Sequence, residues 1–170
     1  MRTLRERLAK DDGFTLIELM VVVLIIAVLV AIAIPSFLGF RARAQDRAAQ
    51  SDIRNVLLSE KAYWTDTGAF TETESDLKGY EPSIETNTTS SATQGVFTDM
   101  SVASNDDVVC LTQASDSGNF FAIFEDETAT GGTYYGASAG DITCPSSAAA
   151  GGPSSTATVT WSTAGFPAAP

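Results

Sequence analysis

The chain contains no histidine and only two cysteines, Cys110 and Cys144, among its 170 residues. Without histidine there is no Ser-His-Asp triad, no Cys-His pair and no imidazole-ligated metal. Two thiols are too few for a four-cysteine zinc site or for an iron-sulfur cluster held by one chain. Cations are also scarce: ten Lys and Arg face 21 Asp and Glu, a formal charge of -11 at pH 7. Phosphate-backbone binding needs clustered cations, so nucleic acid is an unsuitable partner. Glycine-rich phosphate loops, G-x-S-x-G elbows and paired acid/base arrangements are missing. The densest carboxylates beyond the first third are Asp106-Asp107 and Glu125-Asp126-Glu127. They lack the D-x-D-x-D-G spacing of a calcium loop and read as solvated turns. The residues therefore predict no catalysis, no metal and no cofactor.

What is present is unevenly placed. A length of 170 allows one ordinary domain with an additional element. Mean hydropathy is slightly positive despite the acidity, because the apolar residues are concentrated. Leu19 to Phe40 is a run of 22 residues without a charge, and Leu19 to Ile34 is unbroken aliphatic, alanine and methionine. As a helix rising about 1.5 Å per residue, the run reaches roughly 33 Å, enough to cross a hydrocarbon core. A buried core helix of a soluble domain is the alternative, but such helices seldom have apolar residues on every face. Arg2, Arg5, Arg7 and Lys10 precede the run; Arg41, Arg43, Arg47, Arg54 and Lys61 follow it. Beyond residue 61, Lys78 stands alone against fourteen carboxylates, so the last 109 residues carry about -13.

The start of the chain is not an ordinary secretory leader. Such leaders are cut after their apolar region, whereas Gly13, the turn-forming residue at a boundary, precedes it. Cutting there leaves the apolar helix on the mature protein, with a free amine on Phe14. One carboxylate, Glu18, sits at the head of the run. At membrane depth a charged carboxylate costs on the order of 2.5–3.5 kcal/mol, so it needs a partner unless it stays among the headgroups. The Phe14 amine, of the same chain or of a neighbour, is the available cation. A neighbour is the better solution, because Glu18 then selects register in a featureless apolar bundle.

The segment Gly13-Phe14-Thr15-Leu16-Ile17-Glu18 resembles the processing motif of class III signal peptides, found in type IV pilins and type II secretion pseudopilins. Pro35 and the long apolar helix fit the same family. The resemblance covers about the first quarter of the chain. It implies cleavage between Gly13 and Phe14 by a prepilin peptidase, N-methylation of Phe14, and pairing of Glu18 with an adjacent subunit's N-terminus. It also implies a single-pass inner-membrane precursor that polymerises into a surface filament, in company with an assembly platform and minor pilins. Many family members carry a glycine between the motif Glu and the Pro; here Leu19 to Ile34 has none. Pro35 alone removes a backbone donor and is expected to kink the helix.

After Gly39 the pattern becomes amphipathic. Leu38, Ala42, Ala49, Ile53, Val56, Leu57 and Tyr63 recur at helical spacing, with charges on the other faces. Helix from Phe14 to about Trp64 amounts to roughly 75 Å, too long for a 170-residue globule and natural for a filament subunit. Arg41-Ala42-Arg43 is either a solvated basic collar or a charge contact with a neighbouring acidic head. Residues 65–95 read as a polar loop region with at most short helical or strand pieces. It holds the one N-x-[ST] sequon, Asn87-Thr88-Thr89, which as a surface loop need not be modified. Strand signals follow at Val96–Val102, Val108–Leu111, Phe120–Phe124, Thr133–Tyr135 and Thr156–Trp161, separated by turn residues. Ser146 to Pro153 reads as a surface loop. In an exported domain Cys110 and Cys144 are expected to pair as a disulfide; buried free thiols are the alternative.

The expectation is thus an α+β fold: a long N-terminal helix whose C-terminal half packs on a small antiparallel sheet. Its parts are a leader over 1–13, an apolar membrane or polymerisation helix over 14–40, an amphipathic continuation over 41–64, loops over 65–95 and a sheet head over 96–170. Three non-enzymatic functions follow: a pilin serving adhesion, motility or DNA uptake, a secretion pseudopilin, or a minor pilin binding DNA. The missing calcium loop leans against the main pseudopilin type, and the acidic head against DNA.

Overall fold

The computed structural model describes residues 13–71, 73–84, 97–98, 107–128, 131–140, 142, 144, 153 and 159–168. The chain divides into two units, Met1–Arg41 and Ala42–Pro170. One helix, α1 (Leu16–Thr67), supplies residues to both.

In the first unit, α1 is apolar on every side and exposed throughout: Leu16, Leu24 and Ile32 are 75%, 65% and 68% exposed. It is long and apolar enough to cross a membrane by length and composition. Val and Ile are stiff and only fair helix formers in water. In a lipid setting, however, a helix is the way such a segment satisfies its own backbone. The helix runs through Pro35 without a break, and Ser36 Oγ donates to Ile32 O at 3.4 Å. No turn of α1 between Glu18 and Pro35 is melted, as the absence of glycine there implied.

In the second unit, α1 ends three residues beyond the expected Trp64. Gly68, with φ of 81°, takes the left-handed conformation that closes the helix, and its N–H donates to Trp64 O at 2.7 Å. A short helix, α2 (Glu74–Leu77), lies within the segment read as loops. The described strands are β1 (Phe97–Thr98), β2 (Val108–Ala114), β3 (Phe120–Asp126), β4 (Thr133–Ser138) and β5 (Thr160–Ser162). They form an antiparallel sheet in the order β1-β2-β3-β4-β5. Strands β2, β3 and β4 each extend two or three residues beyond the sequence signal. The first and last signals, Val96–Val102 and Thr156–Trp161, fall partly outside the described residues. So do the sequon Asn87-Thr88-Thr89, Asp106, most of Ser146–Pro153, and the leader up to Asp12.

The sheet packs on α1 as the α+β expectation requires. Ile53, Val56 and Leu57 of α1 cluster with Val109, Leu111 and Ile123 of the sheet, and Phe70, Leu77 and Ile84 complete this layer. Side chains alternate along a strand, so Val108, Cys110 and Phe124 belong to the other face. There they meet Cys144, with Tyr134 and Trp161 packed beside them. Covering on both faces leaves β2 and β3 buried along almost their whole length, without the in-out alternation of a sheet wet on one side.

Candidate functional site

Gly13, Phe14 and Glu18, singled out at the N-terminus, lie within six consecutive positions at the start of α1. Gly13, Phe14 and Thr15 precede α1, and Phe14 is 79% exposed. Thr15 is the N-cap. Its hydroxyl accepts from the Glu18 N–H at 3.3 Å, while Glu18 Oε2 accepts from the Thr15 N–H at 3.4 Å and from its Oγ1 at 3.3 Å. This is a reciprocal capping box, T-x-x-E, in which two orphan donors of the helix start are satisfied. The expectations for Glu18 concerned its charge and overlooked this local role, which the letters Thr15-Leu16-Ile17-Glu18 carry openly. Glu18 therefore starts the helix and, being exposed, still presents its carboxylate to the surroundings. Pro35 stands 17 positions further along α1, away from this cluster.

In the second unit the two cysteines are joined: Cys110, on β2, and Cys144 are bonded through their sulfurs, with Cα atoms 5.9 Å apart. Both are buried. Three charged groups of α1 have defined surroundings there. Lys61 Nζ lies 2.7 Å from Glu125 Oε1 and 3.3 Å from Glu127 Oε1. Arg54 sits over the rings of Phe166 and Tyr135, at 5.0 and 5.7 Å from their centroids. Glu60 is fully buried; its Oε2 accepts from the Thr71 N–H at 3.2 Å, and its Oε1 has no partner among the described residues. Burial pushes the Glu60 carboxyl up to about 7, against the lowering effect of the Thr71 N–H. Among the described residues, no group of three or more His, Cys, Asp or Glu is placed to hold a metal ion.

Comparison with known proteins bears on the same N-terminal segment. The family model of the prokaryotic N-terminal methylation motif matches residues 8–34, which include Gly13, Phe14 and Glu18. The chain is 36% identical over 73 residues to the type IV major pilin protein PilA of Myxococcus xanthus, covering 43% of this chain and 33% of that protein. It is 37% identical over 65 residues to the type IV wide pilus major component PilA4 of Thermus thermophilus, covering 38% and 50%. It is also 35% identical over 69 residues to the type II secretion system core protein G of Pectobacterium carotovorum, covering 41% and 44%. The chain thus spans between a third and a half of the length of these relatives. Over the segment that carries Gly13, Phe14 and Glu18 the chain therefore matches the prokaryotic N-terminal methylation motif and is similar to type IV pilins and to a type II secretion core protein.

Proposed function

We propose that the chain is the precursor of a structural subunit of a type IV pilus. A prepilin peptidase cuts it between Gly13 and Phe14 and methylates the new Phe14 amine. The apolar part of α1 holds the mature protein in the inner membrane until the assembly platform, with minor pilins, stacks it into a surface filament. The observation that carries this reading is the contrast along one helix. From Leu16 to Phe40 its large apolar side chains are exposed, whereas Ala49, Ile53, Val56 and Leu57 are buried. Among the described residues nothing buries the large apolar side chains from Leu16 to Leu38, and such a surface needs lipid or copies of itself.

Glu18 supplies the register. In the single chain its carboxylate accepts from the neutral donors of Thr15. A cationic Phe14 amine of an incoming subunit is a stronger partner, because charge-assisted hydrogen bonds are roughly twice as strong as neutral ones. Glu18→Ala is expected to leave processed monomer in the membrane, and loss of Gly13 to leave unprocessed monomer. Abundant filaments from either variant refute the reading. Mass spectrometry of the wild type should find methyl-phenylalanine at Phe14.

The likeness to a type II secretion core protein G supports a second reading, a pseudopilin that forms only short periplasmic filaments. Electron microscopy of cells at native expression separates the two.

A further inference from the structure

Asp46, on α1, accepts hydrogen bonds from Ser117 Oγ and from Asn119 Nδ2, the latter at 3.1 Å. These draw the β2–β3 turn onto the helix. Beside this clasp is a groove of about 530 Å³, lined on the helix side by Ala48, Ala49 and Asp52, and on the hairpin side by Gln113, Asp116 and Phe120. Beside the Gln45 amide, three of the polar groups that line it are acceptors without a partner among the described residues. The carboxylates of Asp52 and Asp116 have no hydrogen bond or ion pair among the described residues. Gln113 is 7% exposed; its amide N–H donates to Ala114 O at 3.3 Å, and its amide oxygen has no partner among the described residues. Desolvation pushes the Asp52 carboxyl above its ordinary range, as expected of a carboxylate that lacks a nearby cation.

Carboxylates beside small apolar walls call for a cation rich in donors on a slim apolar stem. Guanidinium offers five N–H donors and no acceptor, and its stem can lie along Ala48 and Ala49. The ring of Phe120 suits its flat face. The six cations beyond the expected leader narrow the source. Arg54 is stacked on rings, Lys61 and Lys78 are in ion pairs, and Arg43 is likewise engaged. Arg41 and Arg47 are exposed. At about 100° per residue, Arg47, in the same unit as the groove, falls roughly 200° from Gln45, which also lines it, and so on the reverse side of α1.

We propose that this groove docks Arg47 of a second copy of the chain. Groove and arginine lie on opposite sides of one helix, so the contact is heterologous. Each copy offers its arginine to one neighbour and its groove to another, and a contact of this kind that does not close into a ring builds a filament. The proposal rests on the filament reading and adds to it a specific contact between heads.

A charge exchange in the full-length chain tests it. Asp52→Arg and Arg47→Asp are each expected to lower sheared-filament yield about tenfold, because each places like charges across the contact. The double variant is expected to recover to within about twofold of the wild type, since the pair is restored in reverse. Both positions are exposed, and matching thermal melts separate an assembly defect from a folding defect. Normal filaments from either single variant, or no recovery in the double variant, overturn the docking while wild-type filaments leave the pilin reading standing. A wild type that forms no filaments overturns both.

Discussion

Lys61 Nζ and Glu125 Oε1, 2.7 Å apart, tie the C-terminal part of α1 to the middle of the sheet. The two ends of this bridge differ in environment: the Lys61 side chain is 39% exposed and that of Glu125 only 4%. Burial works against the Lys61 ammonium, but Glu125 and Glu127 outweigh it and hold its pKa above the ordinary range. The second oxygen of Glu125 is buried without a partner among the described residues.

Removing the lysine therefore strands a desolvated carboxylate. Lys61→Met is expected to lower stability by about 2–4 kcal/mol, nearer the cost of breaking a buried pair than a surface one. The double change Lys61→Met with Glu125→Gln is expected to cost less than the single one, because no charge is then left buried. Urea denaturation of the three proteins decides it. A loss of under about 0.5 kcal/mol in Lys61→Met would mean that the bridge behaves as an exposed ion pair.

Glu60 makes the domain sensitive to pH in the opposite sense to a salt-bridged carboxylate. Its ordinary value is 4.5, and in the folded protein burial raises it to about 7. Between those values the native state binds more protons than the unfolded chain, so stability falls as pH rises. The contribution is fully present below pH 4.5 and lost above about 7, a swing on the order of 3 kcal/mol. Glu60→Gln is expected to flatten this part of the profile and to be the more stable protein at pH 8. Denaturation midpoints of wild type and variant at pH 5 and pH 8 measure it; parallel profiles would show that Glu60 does not titrate in this range.

The Cys110–Cys144 bond closes a separation of 34 positions. On the chain-entropy account, opening it costs about 4 kcal/mol. The pair Cys110→Ser and Cys144→Ser also places two hydroxyls among Val108, Phe124 and the flanking rings. Its thermal midpoint is expected to fall by roughly ten degrees, at about 2–4 °C per kcal/mol for a chain near this size. A midpoint unchanged in the variant, or in wild type under reducing agent, would remove the disulfide from the stability of the head.

The N-terminal site was legible because its determinants are local. Gly13, Phe14 and Glu18 occupy six consecutive letters, and the charge-free run that follows needs no tertiary partner to be recognised. Even the overlooked capping role of Thr15 is written in four residues. Strand cores were legible for the same reason, while their ends were not: Thr112 and Gln113 extend β2 and are buried although their letters are polar. Glu60 was hidden in the same way. It stands seven positions after Ile53 and three after Leu57, on the buried stripe, but a carboxylate letter argues for solvent.

The sequence alone carries the segregation of an apolar rod from an acidic head, the motif from Gly13 to Glu18 and the α+β class. All of these depend on composition or on neighbours a few positions apart, whereas the pairing of Cys110 with Cys144 across 34 positions is at that level an expectation with free thiols as its alternative. The tertiary structure decided what depends on distant segments meeting. It placed a second buried face behind β2 and β3, Glu60 beneath Thr71, Lys61 against Glu125, and Asp46 against a turn more than seventy positions away. Whether a polar group is solvated or buried is set by what packs over it, and no local pattern records that.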